Sequence, residues 1–524
     1  MSEISSAVFP KKAGLLGLVG LFVLFAALRW NSYDAPLIRD EGEYAYAARL
    51  LLHGHVPYEQ CFLQKPPMII YSYALAELLA PRVFWFPRIL AGLCAAVSTG
   101  LLGYIARKEF GPGVAISAMW LVTPMVLLPN LEQFTANTEM FMLLPMMAVV
   151  ALYVYARHPN NSGAWIWFAA GSLGAVTLCY KYTVFPLLTG LFAFWSWEEF
   201  QTRRNLASLG KHWLFALSGL VLGLVATLGF FLIHDGGKSL WECTVAFNRF
   251  YLASEAFGLA KFLNRLHLFW NAWWILFLLP VSLIIWRERR VWFWIGLFLV
   301  AGLTTAASRY GHYYITIMPF WALLGAVALR RLVRLIPFSA TGQARTIPLL
   351  VCAVVLLLCL TDIPWLTRTK KDFVAGKLPT PFLESEAVAK RVAELTTPED
   401  YVFVAGSEPQ ILYYSQRFSA TRFVTVYPLM IPSPIAQRYQ WDAIHDLQEH
   451  PPTIIVLVQL GATSWLGHAN SPSDFLDYLG RILQVEYELL GGYVIEEQSG
   501  QWTEPLTSPD IGHASLLLFK RRQF

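Results

Sequence analysis

The sequence predicts a polytopic α-helical membrane protein that ends in a smaller α/β domain. Three observations indicate this fold class. Of the 524 residues, 56% are hydrophobic and only 14% are charged, which excludes an ordinary soluble protein. Apolar runs of spanning length recur through residues 1–362. Residues 363–524 are more polar and alternate between strand and helix patterns, as in an α/β domain of ordinary size. We therefore expect a membrane domain with outer loops over 1–362 and an extracytoplasmic domain over 363–524.

Roughly eleven apolar runs have the length of a membrane-spanning helix. They lie near residues 13–30, 88–106, 113–129, 139–156, 164–180, 183–198, 213–233, 270–286, 291–307, 313–329 and 347–362. The first run follows Lys11 and Lys12 and lacks a small-residue cleavage site. We therefore interpret it as a retained helix and not as a signal peptide.

The basic residues of the short loops set the predicted orientation. Every Lys- or Arg-rich connection falls on one side of the predicted spans: Lys11-Lys12, Arg107-Lys108, Arg157, Arg203-Arg204 with Lys211, the 287–290 loop and the 330–345 loop. Cytoplasmic loops are enriched in these residues, which predicts a cytoplasmic N-terminus and a C-terminus outside. The net charge of +5 follows from this topology and gives no indication of nucleic-acid binding.

The loop after the first span concentrates acids beside the membrane, in residues 39–44. A helix is predicted to start here, with Asp40 as its N-cap and Glu43 at the capping-box position. Gly54 is expected to end it. Apolar residues at helical spacing between 44 and 51 predict that the helix lies along the membrane surface.

Lys65 stands immediately before Pro66-Pro67 and the apolar run 68–79. Proline favours the first turn of a helix, so Lys65 is expected beside a helix N-terminus, which attracts anions. The first loop thus offers a carboxylate and a phosphate-type site. The plainer interpretation makes Asp40 only a helix cap and Lys65 only an interfacial anchor.

The outer loops together hold nearly all the acids near the membrane, with a few cations. They are Asp40, Glu41, Glu43, Glu132, Glu139, Asp235, Glu242 and Glu255, with Lys65, Lys181, Arg249, Arg309 and His312. Charged groups at membrane depth are costly and usually line a cavity. The pattern therefore predicts a site that opens to the outer face.

The C-terminal residues alternate predicted strands, at 401–405, 453–458, 493–496 and 515–519, with predicted helices, at 384–395, 409–415, 434–449 and 472–483. The loop 406–410 follows a strand and opens a helix, the usual ligand position in such sheets, although a plain turn explains it better. Of the six cysteines only Cys61 and Cys243 lie in predicted outer loops, which leaves a disulfide between them open.

Four motifs in the outer loops resemble those of GT-C glycosyltransferases, in the branch of protein O-mannosyltransferases and lipid A aminoarabinose transferases. The motifs are Asp40-Glu41-x-x-Tyr44 with Lys65-Pro66-Pro67, Asn137-Thr138-Glu139, Lys181, and Arg309-Tyr310-Gly311-His312-Tyr313-Tyr314. The resemblance covers the whole membrane part, and the C-terminal domain resembles the outer domains of bacterial members more loosely.

The resemblance implies a bacterial inner-membrane enzyme that takes its sugar from a polyprenyl phosphate on the outer face. Asp40 would be the catalytic base. Lys65, Arg309 and His312 would bind the donor phosphate. Glu139, Glu41 and Lys181 are the candidates for contacts with acceptor, sugar or metal. Glu41 and Glu43 are better explained as structural residues that support the site.

The sequence departs from the pattern of the family in two places. Gln64 stands before Lys65 where the aminoarabinose transferases typically have Glu, and the second acid is Glu139 where Asp is common. A divalent metal therefore stays open, and no cofactor is certain. Glycan, lipid and protein acceptors all fit. The rival interpretations are a transporter or flippase for lipid-linked sugars, an O-antigen ligase or polymerase, and a non-enzymatic sensor.

Overall fold

The computed structural model describes residues 11–129, 134–157, 161, 163–254, 263–264, 267, 283, 289–306, 310–336, 339–367, 381–460, 464, 466, 470–496 and 499–523. The chain forms two compact units that interleave along the sequence. The helical unit comprises residues 1–33, 88–229 and 257–367, and the mixed unit comprises residues 34–87, 230–256 and 368–524. The first loop therefore folds with the C-terminal residues and not with the spans that flank it.

The helical unit is built from apolar helices, some of which begin or end in the mixed unit. They are Lys11–Trp30, Phe86–Phe110, Pro112–Leu127, Thr138–Ala156, Ala164–Leu178, Phe185–Arg203, Leu206–Ile233, Arg289–Ala306, Met318–Leu335, Ala340–Leu360 and Ile363–Thr367, with 3-10 turns at Tyr182–Val184 and Gly311–Ile317. Among the described residues, four helices are long and apolar enough to cross a membrane: 86–110, 138–156, 206–233 and the 311–335 segment.

Ten of the predicted spans overlap a described helix, with ends that differ by up to seven residues. The run 270–286 lies outside the described residues except for Leu283. Several of the matching helices are shorter than a full span, among them 112–127 and 164–178. The chain is thus mostly helical with candidate membrane spans, and the count of eleven stays a prediction.

Two helices of the helical unit approach each other through glycine. A Cβ on Gly219 would lie 3.0 Å from the backbone nitrogen of Ser172, so 206–233 and 164–178 meet backbone to backbone. Helix 164–178 ends three residues before Lys181, which precedes the 3-10 turn Tyr182–Val184 in extended backbone. The close packing of these two helices therefore fixes the backbone that leads into Lys181.

The mixed unit combines short helices with one sheet. Its helices are Arg39–Leu52, Pro57–Gln60, Met68–Leu79, Gly237–Trp241, Phe247–Ser254, Phe382–Leu395, Gln410–Ser415, Tyr427–Met430, Ala436–Glu449, Asp474–Val485 and Ser508–His513, with a π-helical turn at Glu242–Ala246. Its strands are β1 (Tyr401–Ala405), β2 (Phe418–Ser419), β3 (Ile454–Val458), β4 (Tyr487–Glu496), β5 (Ser499–Thr503) and β6 (Ala514–Arg521).

The sheet has the order β2-β1-β3-β6-β4-β5. Strand β1 pairs in parallel with β2 and β3, with Val402 opposite Ile454. The pairs β3–β6, β4–β6 and β4–β5 are antiparallel. The central strands β1, β3 and β6 are almost wholly buried. Their apolar side chains point to both faces of the sheet, so both faces must be covered.

The four strands and four helices predicted for the C-terminal residues are all present, with ends shifted by a few residues. Strand β4 begins at Tyr487, six residues before the predicted start, because Gly491 and Gly492 continue the strand and do not end it. The short β2 and the β5 strand were not predicted. Both lie at the edges of the sheet, where little apolar surface marks a strand.

Candidate functional site

The helix that carries Asp40 starts two residues earlier than its capping pattern predicts. It spans Arg39–Leu52, and Ile38 is its N-cap. The backbone N–H of Ile38 donates to Glu41 Oε2 at 3.3 Å, which is the capping-box contact. The prediction that Asp40 caps the helix is therefore wrong. Asp40 stands in the first turn, half-buried, and its carboxylate is not used as the cap.

This first-loop helix is enclosed by protein on nearly all sides. Residues 41–50 are all buried, and Tyr44 packs edge-on against Tyr73 of helix 68–79 with ring centroids 5.6 Å apart. Two acids and an arginine in that run concealed its burial from the sequence pattern. The apolar residues of this helix therefore pack on protein, and its course along the membrane surface stays a prediction. Gly54 does follow the end of the helix, with φ +82°, a value that favours glycine.

The C-terminal residues hold the first-loop helix by its backbone and by two arginines. A Cβ on Gly42 would lie 2.6 Å from the Cα of Gln410, so only glycine allows this approach. Arg39 Nε donates to the carbonyl oxygen of Ser407 at 2.7 Å. Arg49 donates to the carbonyl oxygens of Arg417 and Gln416 at 3.0 and 2.8 Å. The position of Asp40 is thus fixed by residues that lie more than 360 positions later.

The loop 406–410, one predicted ligand position, receives that helix. Ser407, Glu408 and Gln410 have no exposed surface, and Arg39 and Gly42 pack on the loop. The carboxyl end of β1 is therefore covered by the chain itself. This arrangement supports the interpretation of the loop as a structural turn.

Lys65 lies where the sequence places it, before the helix Met68–Leu79. Its carbonyl oxygen accepts a hydrogen bond from the Tyr58 hydroxyl at 2.7 Å. The neighbouring Gln64 carbonyl accepts from Asn248 Nδ2 at 3.1 Å. Two side chains therefore fix the backbone at Lys65, whose own side chain is half-buried beside a helix N-terminus that favours anions.

Glu43 connects Asp40 and Lys65 electrostatically. Its side chain is buried, and burial raises its pKa from 4.5 to about 8. The Asp40 carboxylate raises the pKa further, whereas Lys65 and Arg39 lower it. A charge shifts the pKa of another group appreciably only when the two lie close together. We therefore infer that the mixed unit brings Asp40, Glu43 and Lys65 together. The sequence pattern alone indicates only a structural role for Glu43.

Cys61 and Cys243 are both buried free thiols in the mixed unit. Burial raises the pKa of Cys61 well above its ordinary value, and Glu43 and Cys243 add to the shift. The pKa of Cys243 rises to about 12 for the same main reason. These two thiols are therefore neutral neighbours of the Glu43 carboxyl group.

The helical unit brings two other candidates, Glu139 and His312, close to Lys181. Lys181 Nζ pairs with the Glu139 carboxylate, and it lies 2.8 Å from the centroid of the Tyr313 ring. His312 contacts the edge of that ring, with centroids 4.8 Å apart, and stacks on Tyr310. Glu139, Lys181 and His312 are all buried. Arg309, the remaining phosphate candidate, lies outside the described residues.

Asn137 is a polar residue at this site for which the sequence analysis proposed no role. It is the N-cap of helix 138–156, yet its side chain makes no cap hydrogen bond. It has no exposed surface, and neither Nδ2 nor Oδ1 has a hydrogen-bond partner among the described residues. Buried amides normally satisfy both groups, so Asn137 offers a donor and an acceptor beside Glu139.

The residues fit a metal ion poorly. In the described part of the chain no three His, Cys, Asp or Glu side chains are grouped so that they could hold one. Glu41, one of the metal candidates, accepts the hydrogen bond of the helix cap. Glu139 is paired with Lys181. We therefore derive no step through a metal.

Comparison with known proteins agrees with this architecture. Residues 64–234 match the model of the dolichyl-phosphate-mannose-protein mannosyltransferase family. The fold matches ArnT from Cupriavidus metallidurans in the apo state, with a TM-score of 0.60 and 14% identity over 97% of this chain and 98% of that one. ArnT bound to undecaprenyl phosphate matches with a TM-score of 0.58 and 12% identity over 96% and 97%.

An oligosaccharyltransferase from Archaeoglobus fulgidus in the apo form has the same general fold. Its TM-score is 0.50 and its identity 12%, over 96% of this chain and 76% of that chain. No curated protein sequence matches the chain. The resemblance seen in the outer-loop motifs is thereby confirmed: the chain has the fold of ArnT and of the oligosaccharyltransferase, and its residues 64–234 carry the sequence pattern of the mannosyltransferase family.

Proposed function

We propose that this protein is an inverting glycosyltransferase that moves a sugar from a polyprenyl-phosphate carrier to an acceptor on the outer face of a bacterial inner membrane. The family matched by residues 64–234 uses dolichyl-phosphate mannose. ArnT, which has the same fold, has been crystallised with undecaprenyl phosphate. In this proposal the N-terminus of the present protein is cytoplasmic and its domain 363–524 is periplasmic, as the basic loops predict.

One observation carries the proposal. The helix that bears Asp40 packs against the helix that follows Lys65, with the Tyr44 and Tyr73 ring centroids 5.6 Å apart. Both charges also act on the buried carboxyl group of Glu43, so we infer that Asp40 and Lys65 lie at one place in the mixed unit. A carboxylate and an ammonium group so arranged are what a displacement at a sugar phosphate requires. The ammonium holds the leaving phosphate, and the carboxylate takes the proton of the acceptor.

In the proposed reaction the acceptor hydroxyl or amine attacks the anomeric carbon from the face opposite the phosphate. Asp40 removes the proton of the acceptor as the new bond forms, and polyprenyl phosphate departs with the electrons of the broken bond. Lys65 stabilises the charge that develops on the departing phosphate, with Arg309 and His312 as its proposed partners. Glu139, Asn137 and Lys181 orient the sugar or the acceptor.

The first test measures release of polyprenyl phosphate by the purified protein in detergent, with a panel of polyprenyl-phosphate sugars and an envelope extract as acceptor. We expect wild type to release it and Asp40→Asn to lose at least about 100-fold of this activity, because the base contributes about that much. Glu59→Gln, an exposed acid in the same loop, is the matched control and should retain activity. Equal release by wild type and Asp40→Asn would exclude Asp40 as the base.

Lys65→Gln tests the phosphate assignment. We expect weaker binding of polyprenyl phosphate and slower transfer, because a charge-assisted hydrogen bond contributes about 1.5–3 kcal/mol. Lys238→Gln removes an exposed lysine of the same unit and should change neither. Unaltered binding in Lys65→Gln would contradict the assignment.

The alternative is a transporter or flippase for lipid-linked sugars. Such a protein moves the intact donor and leaves its bond unbroken. Reconstitution in vesicles distinguishes the two functions, because a flippase changes the leaflet of the labelled donor without releasing polyprenyl phosphate. If no donor and no extract leads to release of polyprenyl phosphate, and the labelled donor changes leaflet, the transporter is favoured.

A further inference from the structure

Glu43 stands one helical turn after Asp40, on the same side of the first-loop helix. Only 5% of its surface is exposed. Its Oε1 atom has no hydrogen-bond partner among the described residues. A buried ionised carboxylate without a full set of partners is costly, so the burial alone favours the neutral acid.

The groups around Glu43 decide whether its charge is compensated. They are Asp40 and Arg39 on its own helix, Lys65 and Cys61 in the following loop, and Cys243 in the 242–246 turn. Both thiols are neutral, and among the described residues Lys65 lowers the pKa of Glu43 more than Arg39 does. Arg39 is also engaged with the carbonyl oxygen of Ser407. The cluster therefore favours one carboxylate charge and not two.

We propose that Glu43 is a positioning residue that keeps its proton at neutral pH and thereby leaves Lys65 to the phosphate of the lipid-linked donor. This inference rests on the function proposed above. An ionised Glu43 would attract the Lys65 ammonium and repel the phosphodiester of the donor, so it would compete with the donor for its cation. The neutral acid does neither. The raised pKa of about 8 agrees with a group that is still protonated at neutral pH.

The kinetic test follows the KM for the donor between pH 7 and pH 9. If ionised Glu43 excludes the donor, the wild-type KM should rise about tenfold over this range, because the protonated fraction falls from about 0.9 to about 0.1. Glu43→Gln cannot ionise and mimics the neutral acid. Its KM should stay flat while kcat at pH 7 remains close to that of wild type.

Control variants separate this role from others. Glu59→Gln should keep the wild-type rise in KM, since Glu59 is exposed and lies outside the cluster. If Glu43→Gln shows the same rise as wild type, the proposal is overturned. A loss of kcat at every pH, equal to that of Asp40→Asn, also overturns it, because Glu43 would then be the base itself.

Infrared difference spectroscopy tests the proton on Glu43 without any turnover. The carbonyl band of a neutral carboxylic acid should disappear between pH 7 and pH 9 in wild type, and the same change should be absent in Glu43→Gln. An identical spectrum in both proteins overturns the proposal. If this band behaves as expected but no donor is turned over or bound, the proposed glycosyltransferase function fails while the protonation of Glu43 stands.

Discussion

Lys181 and Glu139 form a buried ion pair between two helical segments that are 42 residues apart in sequence. The aromatic ring of Tyr313 covers the ammonium group on another side, so the charge of Lys181 is compensated twice. Removing two ions from water costs several kcal/mol each, and only a well-paired geometry recovers it. The pair is therefore a sensitive place to separate folding from activity.

The variants Glu139→Gln and Lys181→Met each leave one buried charge without its partner. We expect each to lower the free energy of unfolding by about 3–5 kcal/mol. The double variant should recover much of this loss, since no charge then remains uncompensated. Chemical unfolding in detergent measures the cycle. Glu394→Gln, which breaks an exposed pair with Arg391, is the control and should cost at most about 1 kcal/mol. Additive losses in the double variant would contradict the pairing.

Gly42→Ala tests the contact between the first-loop helix and Gln410. The added Cβ would meet backbone atoms at 2.5–2.6 Å, which cannot move as a flexible side chain does. We therefore expect a clear fall in melting temperature and in transfer activity. Gly100→Ala is the matched control, because that glycine also lies inside a helix and a Cβ there meets nothing within 4 Å. It should stabilise the protein by about 0.5–1 kcal/mol. Equal effects at both positions would exclude the close contact.

The raised pKa of Glu43 predicts that the free energy of unfolding depends on pH, and that Glu43→Gln removes this dependence. The folded protein holds this proton up to a pKa of about 8, whereas the ordinary value is 4.5. As pH rises between these values the unfolded chain releases the proton first, so stability falls, and the fall levels off above pH 8. The melting temperature of wild type should drop more between pH 5 and pH 9 than that of Glu43→Gln. Parallel curves would contradict the shift.

Asn137→Ala should behave unlike an ordinary N-cap substitution. Removing a working cap costs about 0.5–2 kcal/mol, but the Asn137 side chain makes no cap contact and leaves two buried polar atoms without partners among the described residues. We expect unchanged or higher thermal stability together with slower transfer. Ser339→Ala is the control, because the Ser339 hydroxyl accepts from the Gly342 N–H at 3.1 Å. It should destabilise the protein and leave transfer unchanged. Destabilisation by Asn137→Ala would indicate a merely structural residue.

Local signals account for what the sequence predicted well. Pro66-Pro67 before an apolar run predicted the helix 68–79 within a residue, and the apolar run 401–405 predicted β1 without error. Both depend only on neighbouring residues. The cap of the first-loop helix was assigned wrongly because three acids in four residues offer competing registers. Glu41, and not Asp40 or Glu43, reaches back to the Ile38 N–H.

The rest depended on residues far apart in the chain. Gly42 carries no pattern of its own, and its importance follows from the backbone of Gln410. The proton on Glu43 follows from burial and from Asp40, neither of which periodicity reveals. The edge strand β2 is two residues long, too short for any alternation. The pairing of Glu139 with Lys181 likewise required the packed helices.

The first-loop helix depends on contacts with residues that are synthesised much later, and this affects truncated chains. Arg39 leaves the ribosome early, but the Ser407 carbonyl that it binds is translated 368 residues later. Until then the helix bearing Asp40 lacks the surface that fixes its place. We therefore expect a chain cut short by a premature stop codon before residue 407 to lack the contacts that fix Asp40 in place. On the proposed function, such incomplete copies would not consume the lipid-linked sugar, because transfer would require the last quarter of the polypeptide.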